Sequence, residues 1–219
     1  MFTRILLIRH GETDWNVEGR IQGHLQIPLN RRGRAQAELL AAHLQGTRLD
    51  AVYSSDLMRA LQTAQAIVRY SRHEIREDVR LREWDLGVLA GLRRNQAEHD
   101  QPQAARIRRD NLVDEPIPGG ESIRQRFERV TRVVADIAAR HRGECVLIVS
   151  HGGPLGDCYR RATGKRIEER VKIDLFNASI NEIHIDGDDW RLESWAQTDH
   201  LAAIGSLPNW EGRSKENDA

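Results

Sequence analysis

The chain has 219 residues, and its 33 basic and 33 acidic side chains cancel; that length fits one domain with a sizeable apolar interior, and the balance excludes a global attraction to nucleic acid or an anionic membrane. No apolar run approaches the ~20 residues of a membrane span, and Met1-Phe2-Thr3-Arg4-Ile5 lacks the regions of a signal peptide, so a cytoplasmic protein is expected. Only Cys145 and Cys158 occur, which excludes a disulfide framework and suits a reducing compartment.

The apolar run Ile5-Leu6-Leu7-Ile8 predicts a buried strand that stops at Arg9-His10-Gly11-Glu12-Thr13. A cation and an imidazole thus reach a glycine-containing turn, the place where open α/β sheets present ligands. A glycine-punctuated loop follows from Gly19 to Leu29. Asn30 then caps a predicted helix over RRGRAQAELLAAHLQG, with Ala37, Leu40, Ala41 and Leu44 on one face and Gly46 as its stop. Leu49 to Ser54 reads as a second strand, and Ser54-Ser55-Asp56 offers capping oxygens to a helix from Leu57 to Tyr70. Arg59 falls in the first turn of that helix, where the positive end of the helix dipole makes a cation unhelpful to stability. Its role is sought in chemistry, with a surface ion pair to Asp56 as the plainer reading.

Glu74 to Val79 predicts a short strand, and LREWDLGVLAGL from Leu81 to Leu92 a turn-rich loop folded over something. From Arg93 to Pro118 the sequence is polar and helix-friendly but broken by Pro102, Pro116 and Pro118, which predicts a helical lid inserted at about 93–120. The longest periodic segment, Ile123 to His141, carries the apolar stripe Phe127, Val130, Val134, Ile137 and Ala138. Val146-Leu147-Ile148-Val149 repeats the opening pattern, stopping at Ser150-His151-Gly152-Gly153-Pro154 before a helix from Leu155 to Ala162; Cys145 just before it reads as a small core residue. Ala178 to Ile185 and Trp190 to Ala196 flank a hairpin turn at Asp186-Gly187-Asp188-Asp189, and the 206–219 tail is polar enough to be disordered. The expected organisation is one catalytic domain over 1–205.

Two buried strands that each end in His-Gly would bring His10 and His151 together at one edge of a parallel sheet. Two imidazoles can bind a metal, but no carboxylate or cysteine stands at ligand spacing with either, so no metal is assigned. Arg9 and Arg59 supply guanidinium forks that suit phosphate oxygens, and helix N-terminal amides can point at the same anion. The pocket is therefore read as a phosphate pocket with covalent logic, one imidazole attacking phosphorus while the cations and the second histidine stabilise charge. A leaving alkoxide needs a proton, and Glu83 is the candidate acid, a partly buried carboxyl expected near other anions, with Asp85 as its rival. Of the remaining histidines only His24 falls near this pocket; His43, His73, His99, His141, His184 and His200 read as surface or packing residues, and Trp84, Trp190 and Trp195 as packing.

Ile8-Arg9-His10-Gly11-Glu12-Thr13, Ser54-Ser55-Asp56-Leu57-Met58-Arg59-Ala60 with Thr63-Ala64, Leu81-Arg82-Glu83 followed by Gly87 and Gly91, and Val149-Ser150-His151-Gly152-Gly153 together resemble the histidine phosphatase superfamily, from Thr3 to about His200. The resemblance implies a three-layer α/β/α sandwich with a mostly parallel sheet and a small helical insertion over the active site. It implies that His10 becomes phosphohistidine, with Arg9, Arg59 and His151 completing the phosphate pocket and Glu83 as acid, then base. Asn16, Gln22 and Gly23 match positions that contact phosphate or substrate, and Gly152 would offer an amide. A small phosphorylated substrate is implied, with no cofactor unless the chain is a mutase primed by 2,3-bisphosphoglycerate, and a monomer or homodimer as the working form.

Gln26 stands where relatives often carry Asp, and Ala90 where they often carry Glu. The insertion from Leu92 to Gly120 looks shorter than in the mutases and lacks their lysine, since Arg93-Arg94-Asn95 follows Leu92. Arg108-Arg109 stand as candidates for the arginine pair that holds a second phosphate in mutases, against a plainer reading in which Arg106, Arg108 and Arg109 face water. The leading expectation is a phosphomonoesterase, with phosphoglycerate mutase second and a catalytically silent phospho-ligand-binding domain third. Water access and a second anion site, both set by the insertion, divide the first two.

Overall fold

Apolar runs without alternation belong to strands covered on both faces, and the first strand shows why. Its Ile5 and Leu7 enter one apolar cluster while Leu6 and Ile8 enter another on the opposite side. The computed structural model describes residues 1–69, 71 and 73–206; Tyr70 and residues 207–219 of the tail expected to be disordered lie outside the described residues. In chain order the elements are β1 (Thr3–Arg9), α1 (Asp14–Val17), α2 (Arg31–His43), β2 (Ala51–Ser54), α3 (Met58–Val68), β3 (Ile75–Glu77), α4 (Arg94–Asp100), α5 (Pro102–Arg109), α6 (Ile123–Arg140), β4 (Cys145–Ser150), α7 (Gly152–Thr163), β5 (Ile180–Asp186) and β6 (Asp189–Gln197).

The strands form one sheet in the order β3-β2-β4-β1-β5-β6. The pairs from β3 to β1 are parallel, whereas β5 runs antiparallel to both its neighbours. One cluster packs Val130, Val134 and Ile137 of α6 and Leu155 of α7 on Ile5, Leu7, Val146 and Ile148; the other packs Leu40 of α2 and Ala60 and Ala64 of α3 on Leu6, Ile8, Leu147 and Val149. This is the three-layer α/β/α sandwich that the resemblance implied. A third cluster joins Ala97, Ala105 and Ile107 of α4 and α5 to Trp84, Leu89, Ile117 and Ile123, so the insertion is a small helical roof with its own apolar contacts.

Local signals explain several boundaries. Asn30 and Ser122 cap α2 and α6, their side chains accepting from the amides of Gly33 and Gln125. Other expectations need correction. The Ser-Ser-Asp segment does not cap α3: Leu57 occupies the cap position without a side-chain bond, and Gln26, far away in sequence, accepts from the Met58 amide at 2.7 Å. The second strand begins at Ala51 rather than Leu49. In α6, Phe127 is only half-buried and Val133 takes its place in the core. The last helix starts at Gly152 rather than Leu155, because Pro154 in the first turn lacks only an amide that has no partner inside the helix.

Candidate active site

Parallel pairing of β1 with β4 puts Arg9 opposite Ser150, so the next residues, His10 and His151, leave the sheet together. Their rings lie 5.2 Å apart between centroids, tilted by 57°. Burial pushes both imidazoles well below their ordinary value, and Arg59 and Arg9 push the same way. Both rings are therefore neutral at neutral pH. The His10 Nδ1 lies 2.7 Å from the Gly11 carbonyl oxygen, which can only accept. Chemistry assigns the proton to Nδ1 and leaves the lone pair on Nε2, the form a nucleophile needs.

The turn that carries His10 is held from outside the strand. The Gly11 amide donates to Thr63 Oγ1 at 3.0 Å, and the Glu12 amide to Oε1 of fully buried Gln36 at 2.8 Å. Helix α2 begins hard against it: a Cβ on Gly11 would meet the Gly33 carbonyl oxygen at 2.6 Å, and one on Gly33 would meet the Glu12 carbonyl oxygen at 2.0 Å. Only glycine lets the two backbones come so close.

Arg9 and Arg59 are buried at 3% and 0% exposure, which rules out the surface pairing of Arg59 with Asp56. Arg82 takes Asp56 instead. Arg59 donates to the carbonyls of Leu25 and Gly23, each at 2.9 Å, and Arg9 donates to the Leu175 carbonyl. Burial pushes each guanidinium down to about 10, with Glu83 pulling up, so both stay charged at neutral pH. No partner among the described residues meets Arg9 Nε, Arg59 Nε or His151 Nδ1, although all three are buried. Buried donors left without a bond are uncommon and costly. Two such guanidinium donors and an unbonded imidazole nitrogen beside His10 suit a place for an anion.

Glu83 sits at the N-terminus of α7, where its Oε1 accepts from the amides of Trp84 at 2.8 Å and Gly153 at 3.0 Å. The anionic surroundings expected from sequence are thus replaced by bonded amides and by the charges of Arg9 and Arg59. A Cβ on Gly153 would fall 2.4 Å from that oxygen, so a side chain there would push the carboxyl aside. The rival Asp85 accepts from the Gly87 amide at 3.1 Å and is not among the residues that line the cavity. His24, expected near the pocket, donates to the Glu83 carbonyl at 2.8 Å.

A cavity of about 790 Å³ opens above these groups, lined by Arg9, His10, Asn16, Gln22, Gly23, Arg59, Glu83 and Gly152 among others. His151 is not in the lining but touches it through His10. Asn16 is tied down, its Oδ1 accepting from the Thr13 amide at 3.1 Å and from Asn177 at 3.3 Å, while Gln22 accepts from the Thr13 hydroxyl at 3.2 Å. Ten cationic side chains and three acidic ones line the described walls, so the field inside favours anions. Arg108 and Arg109 both reach this lining; Arg109 is also exposed, as the solvent-facing reading expected, and holds Glu98 at 2.7 Å.

Sequence reasoning missed several residues. Ser55 Oγ lies 2.8 Å from His151 Nε2. Arg126 and Asp157 form a buried pair at 2.7 Å, with Arg126 lying 4.8 Å over the Trp84 ring; a charge three residues after Ile123 and four before Val130, inside an apolar stripe, was the available signal. Arg160, Arg170 and Lys172 close one wall from α7 and the loop after it, where no periodicity tells direction. Among the described residues no group of three or more His, Cys, Asp or Glu is placed to hold a metal ion, and no helix is long and apolar enough to cross a membrane.

Comparison with known proteins adds three kinds of likeness. The profile of the histidine phosphatase superfamily (branch 1) matches residues 5–198. The metal-independent phosphoserine phosphatase of Arabidopsis thaliana is 39% identical over 94% of this chain and 86% of its own length, and phosphoglycerate mutase-like protein 4 of the same plant is 37% identical over 96% and 92%. A solved mycobacterial glucosyl-3-phosphoglycerate phosphatase superposes with a TM-score of 0.78 at 30% identity, covering 89% of this chain and 99% of its own.

Proposed function

Because the chain belongs to the histidine phosphatase superfamily, branch 1, we propose that it is a phosphomonoesterase that passes a phosphoryl group from a small phosphorylated metabolite to His10 and then to water. The observation that carries this reading is the buried His10 ring, whose Nδ1 at 2.7 Å from the Gly11 carbonyl oxygen leaves the lone pair on Nε2, beside the unbonded Nε–H groups of Arg9 and Arg59 and the unbonded Nδ1 of His151. Nε2 attacks phosphorus, the ester P–O bond breaks, and its electron pair leaves on the alkoxide oxygen. Arg9, Arg59 and His151 meet the charge on the equatorial oxygens, with the first amides of α7 at Gly152 nearby. Glu83, as the acid, gives the alkoxide its proton.

In the second half the Glu83 carboxylate takes a proton from water, whose oxygen attacks phosphorus. The P–N bond then breaks, its pair returns to Nε2, and inorganic phosphate leaves. Asn16, Gln22 and Gly23 contact the phosphate or the ester in this scheme, and residues 1–205 act as one catalytic domain with 93–120 as its roof. No cofactor enters it, a reading that the metal-independent relative supports. The cation-rich upper cavity favours an ester whose leaving part carries a second anionic group, as phosphoserine does with its carboxylate. Two buried free thiols suit a reducing, cytoplasmic setting. The working form is a monomer or homodimer, which sedimentation velocity distinguishes.

The same wall of cations supports a second reading, a phosphoglycerate mutase that returns the phosphoryl group to a glycerate, in keeping with the mutase-like relative. Labelled ester should leave acid-labile, base-stable phosphate on the chain, and His10→Ala should abolish it. A label that survives this substitution would overturn the covalent scheme. With 2,3-bisphosphoglycerate as primer, phosphate release is expected to outpace mutase turnover; the reverse would make the mutase reading the right one.

A further inference from the structure

The two histidines leave equivalent strand ends, yet their hydrogen-bond partners differ in kind. His10 Nδ1 faces a carbonyl, which dictates its tautomer outright. His151 Nε2 instead faces the Ser55 hydroxyl at 2.8 Å, a group able to donate or accept. Ser55 is fully buried just past β2, and its Oγ already accepts from the Leu57 amide at 3.2 Å. If the ring donated as well, the hydroxyl hydrogen would be buried with no acceptor, and a bare lone pair on Nδ1 would be left beside the anion site. With the hydroxyl donating to Nε2, the hydroxyl hydrogen and Nε2 are both satisfied, and Nδ1 carries a proton left free for an anion.

We propose that Ser55 is a positioning residue that fixes His151 in the Nδ1–H tautomer, so that the ring beside the nucleophile offers the phosphoryl group a donor instead of a lone pair. This inference rests on the phosphatase reading for its purpose but not for its geometry. Burial keeps the His151 ring neutral, so only one nitrogen holds a proton and the choice of nitrogen has consequences. Neutral His10 then presents a lone pair and neutral His151 an N–H, and two residues of one type divide the work of nucleophile and oxyanion donor. The step needs no extra reactant, since the hydroxyl proton stays on Ser55.

Ring-labelled ¹⁵N-histidine protein, with the His151 signals assigned from their absence in His151→Asn, reads the tautomer directly. The wild-type chain is expected to show a protonated-type shift at Nδ1 and an unprotonated type at Nε2; the opposite pattern overturns the proposal. Ser55→Ala is expected to disturb those shifts, weaken competitive inhibition by inorganic phosphate, and lower kcat/KM by about 10- to 100-fold, the scale seen when a histidine loses the partner that orients it. Ser55→Thr, which keeps a hydroxyl, should restore all three. Loss of activity in Ser55→Ala with unchanged ring shifts would make Ser55 merely structural and overturn the idea. A broad ester panel without hydrolysis would remove the phosphatase reading while the wild-type shifts still decide the tautomer.

Discussion

The floor and the roof of the cavity are both rich in arginine, but they hold it differently. On the floor, Arg9 and Arg59 are buried and spend their N–H groups on backbone carbonyls of Leu175, Leu25 and Gly23. On the roof, Arg109 keeps 47% of its side chain exposed and pairs with Glu98 and Asp110. A guanidinium held by buried carbonyls cannot swing away, so its free donors stay aimed; one held by exposed carboxylates is screened by water and easily retuned. In the proposed function the floor holds the phosphoryl group and the roof sets what is admitted.

Substitutions can break that contrast. Arg59→Lys removes the fork that spans two carbonyls while still pointing at the anion, and it should lower kcat by about 10²- to 10³-fold in steady-state assays, as when one oxyanion donor is lost. Glu83→Gln should slow poor leaving groups by about 10²-fold or more while sparing p-nitrophenyl phosphate, whose leaving group needs no proton; equal losses on both would deny Glu83 the acid role. On the roof, Arg109→Ala should raise KM only a few-fold with kcat and thermal midpoint almost unchanged, and a large kcat loss there would erase the distinction.

A pH series sharpens the same point from the stability side. His10 and His151 titrate well below their ordinary value when folded, whereas the unfolded chain takes up their protons near about 6.5. Below that pH the unfolded state binds more protons than the folded one, so stability falls as the medium is acidified through this window and is fully present above it. Thermal midpoints measured from about pH 7.5 to about pH 5 should decline, and His151→Gln should flatten the slope.

The floor was largely legible in sequence for a physical reason. Ile5 to Ile8 and Val146 to Val149 are apolar throughout because each strand is covered on both faces, and the chemistry begins where that constraint stops. Asn30 was readable because capping acts over three residues. Gln26 on the Met58 amide, Ser55 against His151, and the pairing of Arg126 with Asp157 were not, since each joins segments brought together only by the fold. The same limit explains Glu83: its loop gave the residue, but the amides that surround it belong to the start of α7. For the roof, exposed charges on α5 carry no period that distinguishes a cavity from solvent, and Arg108 and Arg109 read as a water-facing pair.

The contact between Gly11 and Gly33 leaves no room for a single extra carbon. Helix α2 contributes nothing to the cavity lining, yet its first turn acts as the backstop against which the turn of His10, the proposed nucleophile, is registered. The aim of Nε2 is therefore inherited from a remote surface helix, and a methyl group added at residue 33 would be felt as recoil at His10.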